Sequence, residues 1–62
     1  MEYIEQREIN GKSYFRASGS ASEKSSLPTE GVCDGSSFFM SDEISITFFN
    51  ETAGWSESVS LK

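Results

Sequence analysis

Apolar and polar residues alternate most regularly toward the carboxyl end of the chain. Ile44-Ser45-Ile46-Thr47-Phe48-Phe49 places Ile44, Ile46 and Phe48 on one face of an extended strand, because successive strand side chains point to opposite sides. Ser37-Phe38-Phe39-Met40 reads as a strand before it. Trp55-Ser56-Glu57-Ser58-Val59-Ser60-Leu61 reads as another after it, with Trp55, Glu57, Val59 and Leu61 on one side. Ser41-Asp42-Glu43 and Asn50 to Gly54 supply turn residues between them, so this part predicts a three-stranded meander.

Nearer the amino terminus, Tyr3, Ile4, Ile9, Tyr14 and Phe15 are split by Asn10-Gly11, the dipeptide best suited to the two positive φ angles of a type I′ turn. The pattern predicts a β-hairpin. A helix over Glu2 to Ile9 is the rival, since Glu, Gln and Arg favour helices, but it lacks an N-cap and runs straight into a hairpin turn. Between hairpin and meander, residues 19–36 are rich in Ser and Gly, with Leu27, Val32 and Cys33 as the larger apolar residues. This reads as a long connection, mobile over Gly19 to Ser26 and anchored to the sheet by Leu27-Pro28 and Val32. The fold class is therefore all-β: one domain spanning 1–62, a small antiparallel sheet of about five strands.

Size narrows the function. The chain has 62 residues, of which 35% are hydrophobic, so its core is small. Small domains compensate with disulfides, a metal or oligomerisation. Cys33 is the only cysteine and there is no histidine, so neither an intrachain disulfide nor a zinc set is available. No cofactor is expected, and burial against another subunit becomes the favoured source of stability. A net charge of −5 repels nucleic acid and anionic membranes, and no apolar run approaches a membrane span of about 20 residues. The acidic start of the chain differs from the basic start of a signal peptide, which points to synthesis in the cytoplasm.

Catalytic chemistry is poorly provided for. Without histidine the commonest general base is missing. Cys33 beside Asp34 reads as a small apolar filler, since a neighbouring carboxylate works against a thiolate nucleophile. Asp34, Asp42, Glu43 and Glu51 fit no spaced ligand loop and read as solvated turn acids. An enzyme would need Asp34 or Glu43 with Ser36 in a cleft, for which so small a core leaves little room.

The aromatic residues say more. Phe38-Phe39 and Phe48-Phe49 are adjacent pairs, and alternation sends one member of each pair to either face. Burying one Phe is worth about 1.5–3 kcal/mol, so both faces call for cover. Either a partner supplies it, through Phe38, Phe39, Phe48, Phe49 and Trp55 as contact candidates, or the long connection and the chain ends fold over the second face.

Leu27-Pro28-Thr29-Glu30-Gly31-Val32, Asp34-Gly35-Ser36-Ser37-Phe38-Phe39, Ile46-Thr47-Phe48-Phe49-Asn50 and Gly54-Trp55-Ser56-Glu57 together resemble small bacteriophage virion-associated β proteins of the capsid-decoration and head-fibre kind. The likeness spans roughly residues 27–57. It implies a non-enzymatic structural or accessory protein, made in the bacterial cytoplasm and carried in the virion, whose partner is itself or another virion protein in a homo-oligomeric assembly. It transfers no catalytic residues. A second reading fits the same size and acidity: a phage-encoded acidic inhibitor of a host defence or host enzyme, of the anti-CRISPR or DNA-mimic class, which occupies a basic cleft.

Overall fold

A computed structural model describes residues 1–62 and shows a mostly β protein built on one mixed sheet of six strands. The strands are β1 (Glu2–Ile9), β2 (Lys12–Gly19), β3 (Ser37–Met40), β4 (Ser45–Asn50), β5 (Gly54–Trp55) and β6 (Val59–Ser60), and a short 3₁₀ helix covers Ala21–Ser26. The sheet runs β1-β2-β3-β4-β5, with β6 also paired to β4. Asn10 and Gly11 have φ of 52° and 78°, the two left-handed residues that a type I′ turn requires, and the hairpin β1-β2 closes on the pair Ile9 and Lys12. The helical alternative for residues 2–9 is thereby set aside.

The sheet is not wholly antiparallel. Strands β2 and β3 lie parallel, Ala17 beside Phe38 and Gly19 beside Met40. A parallel pair needs a crossover of a dozen or more residues, and the connection from 20 to 36 provides it. Its serine-rich first part, expected to be mobile coil, forms the 3₁₀ helix: the Glu23 carboxylate accepts the Ser20 N–H at 3.1 Å, and Asp42 Oδ1 accepts the Ala21 N–H at 3.0 Å. The Met1 amino group, 2.7 Å from Glu23, and the Ser20 N–H hold that carboxyl below the usual carboxylate range. Further along, Leu27 and Val32 are buried, so the connection anchors where those residues predict.

One face of the sheet is therefore covered. Phe15, Ala17, Phe38, Met40 and Phe49 from the strands pack with Leu27 and Val32 from the crossover, and Ala21 and Trp55 close the margin. Trp55 stacks edge-on against Phe49 with ring centres 5.3 Å apart, and its Nε1–H donates to the Pro28 carbonyl at 2.9 Å. The half-buried indole thus finds both an apolar body contact and a hydrogen-bond partner.

Gly19 shows how tightly crossover and sheet meet. A Cβ there would lie 2.6 Å from Glu23 Oε1 and 3.1 Å from Cζ of Phe38. The carboxylate can swing away, but the buried ring cannot. Gly19→Ala is expected to destabilise the fold by about 1–3 kcal/mol, the usual cost of overpacking, read as a lower urea midpoint.

The last strand is broken. Phe49 opposes Trp55 while Ile46 opposes Val59, so three steps along β4 match four along its neighbour. This extra residue is a bulge, and it flips the side-chain parity. Trp55 consequently faces the core and Val59 the opposite side, where unbroken alternation puts both together. Ser56 stitches the gap: its N–H donates to the Phe48 carbonyl at 2.9 Å, its Oγ accepts the Phe48 N–H at 3.1 Å, and its carbonyl accepts Thr47 Oγ1–H at 2.6 Å.

Not every buried hydroxyl is so well served. Ser45 Oγ is enclosed without a hydrogen-bond partner, and leaving such a group unpaired costs about 1–3 kcal/mol. Ser45→Ala is expected to raise stability by about 1 kcal/mol, seen as a higher melting temperature; an unchanged or lower one would show that the hydroxyl is satisfied.

Candidate protein-interaction surface

The aromatic pairs divide as alternation requires. Phe38 is fully buried and Phe49 is 5% exposed, both in the covered core, whereas Phe39 is half-buried and Phe48 47% exposed on the other face. Trp55 is half-buried at the core margin. Of the five contact candidates, the structure brings Phe39 and Phe48 together on the open face and commits Phe38, Phe49 and Trp55 to the fold itself.

The open face is ordered by strand register. Ser18, Phe39, Ile46 and Val59 stand side by side across β2, β3, β4 and β6, and Phe48 lies two residues along β4 from Ile46. Neighbours in one row shield each other, which leaves Phe39 and Ile46 half-buried. Phe48 has only Ser37 beside it on β3, too small to cover a ring, so 47% of its surface stays in solvent. No chain segment crosses this row, because the crossover packs on the other face. Ile46 and Val59 were not among the candidates; the pairing of β6 with β4, invisible in local alternation, adds them.

Beyond this apolar row the same face turns polar on β1 and β2. Glu5 bridges Arg7 at 2.5 Å and Arg16 at 3.6 Å. The result is an apolar centre with an ion-paired border, the layout common in protein contacts.

Strand β4 is arranged against its own composition. Its buried face carries Ser45, Thr47 and Phe49, whereas its outward face carries Ile46 and Phe48. Alternation alone aims Ile46 and Phe48 inward. They point out because Phe15, Phe38 and Met40 already fill the covered side, leaving room opposite only for small residues.

The remaining candidate chemistry is dispersed. Asp34 Oδ1 accepts the Glu51 N–H at 2.5 Å and Glu51 pairs with Lys12, while Asp42 holds the 3₁₀ helix and Glu43 stands exposed in the β3-β4 turn. No three Asp, Glu or Cys side chains converge as a metal site. Ser36 is fully buried, its Oγ donating to the Cys33 carbonyl at 2.9 Å and accepting the Phe15 N–H at 3.2 Å, which is a structural role. A shallow open depression of about 250 Å³ lies among Lys12, Thr29, Gly31, Val32, Phe49 and Glu51, and neither Asp34, Glu43 nor Ser36 lines it. Searches against protein-family models, curated proteins and solved structures find no match to this chain.

Proposed function

We propose that this chain is a non-enzymatic structural or accessory component of a bacteriophage virion, and that it works by protein-protein assembly through the open face of its sheet. One observation carries the assembly reading: β4 turns Ile46 and Phe48 outward and Ser45 and Thr47 inward. Phe48 keeps 47% of its surface in solvent in the single chain, and the burial energy of that part is available to an intersubunit contact. The virion setting rests on the resemblance of residues 27–57 to phage structural proteins. The partner at this face is a further copy of the chain, in keeping with a core too small to be comfortable alone.

Light scattering over a hundredfold concentration range, at low and high salt, tests the assembly. The expected result is an oligomer whose mass is insensitive to salt, since apolar contacts are not screened. Phe48→Asp should lower that mass while leaving the far-ultraviolet circular dichroism unchanged. A monomer throughout, or a mass that Phe48→Asp does not alter, would overturn the reading and turn attention to the acidic-inhibitor class.

A further inference from the structure

We propose that strand β1 is a self-complementary edge, through which two copies join antiparallel into one continuous sheet. β1 is the terminal strand, paired to β2 along one side and to nothing along the other. Bare edges of this length are usually blunted by charge and bulges, and β1 has both: Glu2, Glu5, Arg7 and Glu8, and an irregularity at Ile4. The order of its charges, however, repels most partners and fits a copy of itself.

Backbone geometry limits the registers. The two-residue turn closes on a hydrogen-bonded pair, Ile9 with Lys12, and hydrogen-bonded and non-hydrogen-bonded pairs then alternate. Glu5, Arg7 and Ile9 thus direct their backbone groups to β2, while Gln6 and Glu8 direct theirs to the free edge. In a two-fold antiparallel pairing each residue on the axis meets its own copy. Centring on Glu5, Arg7 or Glu8 sets like charges against each other, which is destabilising directly across strands. Centring on Gln6 does the reverse: Gln6 meets Gln6, Glu5 meets Arg7 and Arg7 meets Glu5. The bonds then formed are those of Gln6, whose N–H and carbonyl already face outward. Glu5 and Arg7 lie on one face and already form an ion pair, so the pairing extends it to an alternating square of four charges. Ile4, 63% exposed, falls at each end of this ladder beside Glu8 of the other copy.

The axis of such a pairing stands perpendicular to the sheet, so both copies present their Phe39 and Phe48 face on the same side. The edge contact uses none of those residues and stands or falls separately from the face contact.

The test uses the full chain carrying Phe48→Asp, so that the face contact is silenced. Light scattering should show a concentration-dependent dimer. Adding Glu5→Arg sets Arg against Arg, and adding Arg7→Glu sets Glu against Glu; each should weaken the dimer about tenfold or more. Mixing the two charge variants in equal amounts restores both opposite-charge pairs, and a heterodimer should form at least as tightly as the parent dimer, resolved by mass-tagging one of them. Circular dichroism checks that each variant is folded. A parent that stays monomeric, single variants that dimerise undiminished, or a mixture no better than its components would each overturn the proposal.

Discussion

Phe38→Ala is expected to remove most of the protein's stability, whereas Phe39→Ala, one residue away, should leave most of it intact. Phe38 is fully enclosed between the sheet and the crossover, beside Ala17 and against Gly19. Removing a ring from such a site costs about 3–5 kcal/mol, the lost transfer energy plus the cavity left behind. A chain of this length holds total stability of only about 3–9 kcal/mol at the usual contribution per residue, so the loss consumes most of it. Phe39 stands half-buried on the open face, and its truncation leaves no closed cavity, for a cost of about 1–2 kcal/mol. Urea denaturation of both variants checks the contrast. Similar midpoints would show that the two faces are equally buried in solution, as they are if a partner copy covers Phe39 at all concentrations used.

Leu27→Ala carries the second large expected effect, a loss of about 2–5 kcal/mol. Leu27 sits in the connection between β2 and β3, in a stretch whose Ser and Gly content resembles a tether. In the fold it is a buried wall of the core, and the Trp55 indole bonds the carbonyl of the next residue, Pro28. A tether would tolerate the change within about 0.5 kcal/mol, the range of ordinary surface substitutions. Thermal unfolding followed by Trp55 fluorescence reads the outcome directly, since the reporter lies against the altered segment.

Much of the architecture was legible from local signals. Asn10-Gly11 announced the hairpin because few other dipeptides accept two left-handed residues in sequence, and the meander followed from short apolar runs bounded by turn formers. The split of each Phe pair between two faces is a geometric necessity of a strand. Other features depend on contacts far apart in sequence. Nothing in residues 12–19 or 37–40 states that these strands run parallel; that follows from the crossover having just enough apolar anchors, Leu27 and Val32, to lie across the sheet. Ile44 reads as the first residue of β4 by alternation, yet its φ is +50° and it ends the turn before the strand. A β-branched residue is costly there, and the hairpin geometry between Met40 and Ser45 imposes it. The bulge after Trp55 is equally silent in the pattern, because Ser56 and Ser58 look like any outward-facing polar residues. As for the site, sequence could name Phe39 and Phe48 among five aromatics, but which two stay outside was decided by how fully the core was already occupied.

The parallel seam between β2 and β3 divides the molecule in time as well as in space. The hairpin β1-β2 and the meander from β3 onward each join strands that are neighbours along the chain, so both can form by closing short loops on a microsecond scale. Setting Arg16 to Gly19 alongside Ser37 to Met40 instead requires the ends of residues 20–36 to be brought together, an entropic cost met before any seam contact repays it. Until that step is complete neither half has its hydrophobic cover, since the crossover that seals the core is the same segment whose closure is awaited. Phe15 and Phe38 are therefore sealed only when the crossover lies across the sheet, so a change that loosens residues 20–36 uncovers the core of both halves together.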